Sequence, residues 1–573
     1  MSVINFKKAN CRNCYKCIRY CPVKAIKVNN EQAEIVDYMC IACGRCLNVC
    51  PQNAKTVRSD IEKVKAFIKK GDKVVFTIAP SYPALVGSGR AFKFLNALKS
   101  LGAEMIIETS VGAMFISKEY ERYYNDLKYD NLITTSCPSI NYLIEKYYPD
   151  LINCLVPVVS PMIAVGRVVK KIYGNEIKVV FIGPCLAKKV EMNDFSCEDA
   201  IDAVLTFEEI IEWLDGDGIN IDDSREEFTD CVDTMMPFKL YPIEGKTIDC
   251  MDVDLNLRKV VSVSSIDNVK DLLNDIRSGN LHGYWIEANA CDGGCINGPA
   301  FGRSNSGVVK RKEEVINYSN TKANFISDIS NMIDCSADFT RKFINLSDKW
   351  KMPSENEIKN ILSKIGKFTK EDELNCGACG YDTCREKAIA VFNGMAEPYM
   401  CLPYMRGRAE TLSNIIISST PNAIIAVNNE YEIQDMNRAF EKMFLVNSTM
   451  VKNENLSLIF DISDFKDVIE NKKSIFNKKV SFKNYGIIAL ESIYYLEEYK
   501  IAIGIFTDIT KMEKQKEAFS KVKRENYQLA QQVIDKQMKV AQEIASLLGE
   551  TTAETKVILT RMKDMLLNQG DDE

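Results

Sequence analysis

From Lys73 to about residue 335 the chain alternates short apolar runs with longer helix-like stretches. The first run reads Lys73-Val74-Val75-Phe76-Thr77-Ile78-Ala79-Pro80. Such alternation predicts an α/β fold with a largely parallel sheet. A connecting helix is expected over Ser59–Lys70 and another over Ile116–Asp126, with earlier strands near Ala25–Val28 and Glu34–Val36. No run of about 18 apolar residues is long enough to cross a bilayer.

Beyond about Ala409 the pattern changes. There Leu412–Ser419, Pro421–Asn428 and Asn437–Glu441 resemble the opening helix, strands and helices of a PAS domain, and Gly504–Thr510 resembles its closing strand and exit. In residues 512–567, Val522, Leu529, Val533, Val540, Ile544 and Leu547 recur at three-, four- and seven-residue steps, the seam of an amphipathic helix or coiled coil. Gly549 permits a break, after which Val557, Ile558, Met562, Met565 and Leu566 continue the apolar face.

The 573 residues suffice for roughly four domains. A net charge of −6 and the lack of a concentrated basic face argue against nucleic-acid binding. His282 is the only histidine, which makes histidine-ligated zinc, Ser-His-Asp hydrolysis and phosphohistidine relays hard to build. The first cysteine cluster begins at Cys11, leaving no room ahead of it for a secretory signal, so a cytoplasmic location is expected. In a reducing compartment, CxxC spacings read as metal-binding. An anaerobic or microaerobic source suits so many oxygen-sensitive sites.

Sixteen of the 21 cysteines fall into four groups. Cys11, Cys14, Cys17 and Cys21, followed by Pro22, are repeated as Cys40, Cys43, Cys46 and Cys50, followed by Pro51. In such runs three thiolates hold one cubane and the fourth reaches the other. Cys11, Cys14, Cys17 and Cys50 are therefore expected on one cluster, and Cys21, Cys40, Cys43 and Cys46 on the second. A zinc knuckle is the plainer alternative. Three later loops, Thr134–Pro138, Gly183–Glu191 and Glu287–Cys295, place Cys137, Cys185, Cys291 and Cys295 after strand-like runs, where α/β folds gather ligand sites. Cys376, Cys379 and Cys384 sit on a compact Gly-containing loop, with Cys401 beyond a helix expected at Arg385–Asn393. Four thiolates there can hold a cubane or zinc. Cys154, Cys197, Cys231, Cys250 and Cys335 show no ligand spacing and read as ordinary free cysteines.

The first 58 residues resemble bacterial two-cluster 4Fe-4S ferredoxins, a wire for electrons. The three loops, in this order, resemble the TSCCP, MPCxxKxxE and ExMACxGGC signatures of FeFe hydrogenases, and Ala79-Pro80 resembles that family's first pocket loop. The resemblance implies that Cys137, Cys185, Cys291 and Cys295 bind a 4Fe-4S subcluster. It further implies that Cys295 bridges to a diiron unit with CO, CN and dithiolate ligands, the H-cluster, and that Lys188 contacts a cyanide. Gly293-Gly294 would allow the backbone to approach the cluster closely. Several positions depart from the family. Ser136 stands where a proton-passing cysteine is expected, Gly183 and Asn289 replace methionines, and Met162 follows Ser160-Pro161 where a cyanide-contacting glutamine belongs. A thiol transfers protons near neutral pH far better than an alcohol, so turnover is expected to fall by about 10²–10⁴. Glu119 and Glu121 are read as surface charges rather than relay groups.

The 374–401 segment resembles a small 4Fe-4S domain of anaerobic electron-transfer proteins, and the segment after it resembles a PAS domain. Residues 411–511 contain no histidine or cysteine for a haem or flavin adduct, so signal transmission or dimerisation is expected. Val540–Ile544 resembles a sensor-kinase dimerisation helix, but Gln542 occupies the phospho-acceptor position.

The expected fold is multidomain α/β and α+β. Its parts are a two-cluster ferredoxin module (1–58), a two-lobed α/β FeFe-hydrogenase-like H-domain (59–335), a linker and small 4Fe-4S domain (336–408), a PAS domain (409–511) and a helical coiled coil (512–573). The arrangement resembles sensory FeFe hydrogenases, with an H-cluster, three further 4Fe-4S clusters and slow H2 turnover. The expected partners are H2 and protons, a ferredoxin-type redox partner, a second copy through the PAS and coiled-coil segments, and a downstream signalling protein; no membrane is expected. The rivals are a catalytic ferredoxin-linked hydrogenase and a non-catalytic iron–sulfur scaffold or electron-transfer protein.

Overall fold

A computed structural model describes residues 3–7, 10–30, 32–226, 231–232, 236–302, 306–320, 337–348, 350–548 and 552–567. The chain divides into two compact units, Met1–Met405 and Arg406–Glu573.

The first unit opens with two antiparallel pairs, Ile26–Asn29 with Gln32–Ile35 and Ile4–Phe6 with Lys55–Val57. One-turn helices, Lys16–Arg19 and Arg45–Asn48, follow equivalent points of the cysteine repeat and begin after residues in the left-handed region, Tyr15 (φ 53°) and Gly44 (φ 73°). The repeat is thus preserved in three dimensions. The side chain absent at Gly44 is accounted for by packing, since a Cβ there would lie 2.4 Å from Pro299 Cβ.

The connecting helix runs Ile61–Lys70, two residues shorter than expected because Asp60 is its N-cap and the Ser59 hydroxyl accepts from the Ile61 N–H. Two parallel sheets follow. One has the order Cys231–Val232, Met105–Glu108, Val74–Ile78, Lys178–Gly183, Ala203–Thr206, and the other Lys259–Ser264, Tyr284–Asn289, Leu132–Ile133. The Val74–Ile78 strand is buried throughout, as a sheet covered on both faces requires. The helix expected at Ile116–Asp126 runs Ser110–Asn125. Gly112 is a close-packing point in this helix, since a Cβ there would fall 2.1 Å from the Pro161 carbonyl oxygen.

The loops bearing Cys137 and Cys291 leave Leu132–Ile133 and Tyr284–Asn289 in the second sheet, while the Cys185 loop leaves Lys178–Gly183 in the first. Both sheets therefore present their carboxyl ends to one site. Further on, Glu355–Ser363 and Cys384–Phe392 form a helix pair, each started by a capping box, Ser354 with Glu357 and Thr383 with Glu386.

The second unit contains a five-stranded antiparallel sheet in the order Ile433–Met436, Ala423–Asn428, Ile501–Asp508, Ile487–Leu496, Ile475–Phe482. Phe440, Phe444, Phe465 and Phe506 are fully buried against it. Asn437, expected inside a helix, instead caps Arg438–Met443 through its side chain. The helix expected at Leu412–Ser419 begins at Leu402. The C-terminal seam forms helices Thr510–Leu548 and Thr552–Leu567, with Val522, Leu529, Val533, Val540 and Ile544 exposed. Gly549, the expected break, lies outside the described residues, as does Cys335. Among the described residues no helix is long and apolar enough to cross a membrane.

Candidate metal centres

Cys137, Cys185, Cys291 and Cys295 line one cavity, together with Ser136, Lys188 and Asn289. Each ligand position has a local cause. Pro138 starts the helix Pro138–Tyr147 directly after Cys137, with fixed φ and no N–H to leave unpaired. Gly293 (φ 77°) and Gly294 (φ 94°) turn the chain between Cys291 and Cys295. At Gly294 the close approach is to protein backbone, since a Cβ would meet Pro242 O at 2.5 Å and Glu244 N at 2.8 Å. Burial pushes the Cys185 thiol up to about 11, with nearby Lys188 acting in the opposite direction. Only a strong Lewis acid would hold this group as a thiolate at neutral pH.

Lys188 is 8% exposed and donates to Glu191 Oε2 (2.7 Å) and to the Ser136 carbonyl (3.3 Å). Glu191, wholly buried, also accepts from the Ser160 hydroxyl (2.9 Å) and Arg341 Nη1 (2.5 Å), and Arg341 continues to Asp194 (2.8 Å). Burial raises Asp194 to about 6 against the opposing pull of Arg341. Removing one partner of such a network leaves an uncompensated buried charge.

The Ser136 hydroxyl lies 3.0 Å from Tyr241 Oη and 3.2 Å from Tyr120 Oη, and Tyr120 also contacts Thr135 Oγ1 at 3.2 Å. Burial raises both phenols, which stay protonated and can donate. Sequence reading missed Tyr120, Tyr241 and Arg341. Tyr120 was included in the expected helix, but nothing in the local pattern marks any of the three.

The structure does not bring every expected pocket residue to the cavity. Met162 packs at 0% exposure in the hydrophobic core, because it follows Pro161 at the start of a helix whose apolar face points inward. Ala79 donates its N–H to the Ile182 carbonyl (2.9 Å) and, with buried Pro80, lies outside the lining, as does Gly183, where a Cβ would meet Ala79 Cβ at 3.1 Å. Asn289 does line it and donates to Glu287 Oε1 (3.0 Å). Glu119 pairs with Arg122, and Glu121 accepts from the Asp252 N–H, both half-buried.

Cys11, Cys14, Cys17 and Cys50 line a second cavity. Cys376, Cys379, Cys384 and Cys401 line a third. Cys21, Cys40, Cys43 and Cys46 lie within electrostatic reach of one another, and Cys43 also faces Cys291 and the first cavity. All-sulfur donor sets around voids fit a cubane. Among the described residues no three such side chains converge on one point as ligands of a single ion do. No described cysteine is in a disulfide. Cys197 and Cys250 are buried and Cys154 is half-buried, away from these groups, while the Cys231 side chain lies outside the described set.

The chain is thus a hydrogenase-like iron–sulfur protein. The family model described as iron only hydrogenase large subunit, C-terminal domain, matches residues 72–252 and 239–299. A 4Fe-4S dicluster domain matches 3–51, and an Fe-S cluster domain matches 372–403. Iron hydrogenase 1 of Clostridium pasteurianum is 26% identical over 304 residues, covering 43% of this chain and 53% of that protein. The cytosolic Fe-S cluster assembly factor narfl of Xenopus tropicalis is 22% identical over 373 residues, covering 51% and 78%. A solved variant of the [FeFe]-hydrogenase HydA1 from Chlamydomonas reinhardtii overlays with TM-score 0.41 at 15% identity, over 51% of this chain and all of that one. The chain therefore spans about half the length of the Clostridium protein.

Proposed function

We propose that this chain is an iron–sulfur electron-transfer protein on a hydrogenase-type frame, with little or no hydrogen turnover. Thiolate-bound cubanes take up and release single electrons. The carrying observation is the contrast within one cavity. All four cysteines line it, while Met162, Ala79, Pro80 and Gly183 do not, and the Lys188 ammonium is engaged by Glu191. The relative named as an assembly factor supports the same reading. Cys14, Cys295 and Cys376 are exposed, one in each of three groups, and Cys14 and Cys376 give a ferredoxin-type partner access outside the central cavity. The second unit, read as a PAS domain, passes redox state to a signalling partner and dimerises through the exposed seam of Thr510–Leu548. Iron analysis and electron paramagnetic resonance on the reconstituted full chain test this. The expected result is about sixteen iron atoms, four per cubane, reduced by ferredoxin and not by H2.

A second reading, a hydrogen sensor with a loaded diiron unit, is favoured by Lys188, Ser136 and Asn289 standing at the cavity. In that case the Tyr120–Ser136–Tyr241 hydroxyls would hold and pass protons, and H2 alone would reduce the clusters.

A further inference from the structure

The small cysteine domain is seated on the ferredoxin-like module, and the seam lies at one particular cysteine group. Arg19 donates to the Ala378 carbonyl (3.0 Å) and the Gly377 carbonyl (3.3 Å). Lys24 donates to the Gly380 carbonyl (2.9 Å) and faces Asp382 at 3.6 Å. The Val28 N–H reaches the Met395 carbonyl (3.0 Å), and the Asn30 N–H reaches Glu397 Oε1 (2.9 Å). Packing is close enough that a Cβ on Gly380 would lie 2.9 Å from Ile18.

Tyr381 sits inside this seam at 2% exposure, within electrostatic reach of both Cys379 and Cys21. Its hydroxyl is buried without a hydrogen-bond partner among the described residues. A phenol donor buried unsatisfied between two cysteine groups is costly. On the far side of the same group, Cys43 lines the central cavity, and Gly44 packs on Pro299 and Leu186.

We propose that the Cys376, Cys379, Cys384 and Cys401 group exchanges electrons with the rest of the molecule through the buried Cys21, Cys40, Cys43 and Cys46 group, with Tyr381 as the contact between them. The Cys11, Cys14, Cys17 and Cys50 group is then a side branch. In each transfer one electron is lost by iron held in one group and gained by iron held in the other; no bond breaks and no proton moves. A soluble ferredoxin-type donor supplies the electron. The inference rests on these groups holding cubanes and is independent of any reaction with hydrogen. Cys401 directly precedes the helix Leu402–Ser419, so this branch ends where the chain leaves for the second unit.

Electron paramagnetic resonance of the full, reconstituted and partly reduced protein tests the junction. Spin–spin broadening between the small-domain signal and its neighbour is expected in the native chain and in Cys14→Ser, which disables the side branch. It is expected to narrow in the charge-reversed Arg19→Glu/Lys24→Glu double variant at unchanged iron content. Tyr381→Phe keeps the ring, removes the hydroxyl that lies within electrostatic reach of Cys379 and Cys21, and should shift the midpoint potential of one of the two adjoining centres. Narrowing in Cys14→Ser, broadening that survives charge reversal, or unchanged potentials in Tyr381→Phe would each overturn the proposal. Should the charge-reversed protein not fold, the other two variants decide it.

Discussion

The two cysteine runs of the first 58 residues have the same spacing and different surroundings. Cys14 in the first group is exposed, and hydrogen bonding and Lys55 bring the Cys50 thiol below its ordinary value despite the opposing effect of burial. In the second group burial dominates, raising Cys40 to about 11 and Cys43 to about 12. Every ligand there also faces a cation: Lys24 and Lys270 at Cys21, Lys146 at Cys40, Arg45 at Cys43 and Lys55 at Cys46. The spacing of a run sets which atoms it can bind. Its tertiary neighbours set how readily the bound group accepts an electron.

The largest expected effect separates the repeats at their matching left-handed positions. Gly44→Val forces a side chain into Pro299 and Leu186 at φ +73°, and should cost about 3 kcal/mol or more. Limited proteolysis should then release the ferredoxin-like module. Tyr15, the equivalent position, carries a side chain, and Tyr15→Ala should leave the module docked.

A prediction of intermediate size tests the second unit, where burial likewise opposes charge and residues 411–511 hold no cysteine. Glu491 is 3% exposed, and burial followed by contact with Asp464 raises it to about 8, with Lys478 opposing and Asp461 adding to the rise. An acid whose folded pKa exceeds its unfolded value is favoured in its protonated form by folding. Stability is therefore full below about pH 4.5 and is lost as pH rises through about 8. Hydrogen exchange of the strand Ile487–Leu496 in the full chain should show protection falling between pH 6 and 9, by about 2–3 kcal/mol. Glu491→Gln should flatten that dependence.

The smallest effect concerns the cation ring. Lys270→Gln should lower the midpoint potential of the second group by on the order of 50 mV and leave the first unchanged. Equal shifts in both would remove the distinction between them. Lys55 faces both groups, so Lys55→Gln should move both.

The grouping of cysteines that line shared cavities was legible in short spacings for the compact groups. The dispersed group was read from its three loops taken together, through their resemblance to FeFe hydrogenase signatures. The partners that hold Ser136 and Glu191 were not legible. Tyr241 meets Ser136 across 105 residues and Arg341 meets Glu191 across 150, with no periodicity to announce either. Met162 was misleading in another way, since position after Ser160-Pro161 suggested a pocket residue while helix packing takes its side chain into the core. Gly112 and Gly44 permit contact with partners far along the chain, which a single sequence does not reveal.

Infrared spectroscopy of the full chain, produced with competent diiron maturation enzymes and examined under argon and then H2, tests the central claim most directly. The account predicts intact cubanes by iron content and no carbonyl or cyanide bands that respond to H2. Bands that shift on adding H2 would contradict it and establish the hydrogen-sensing reading.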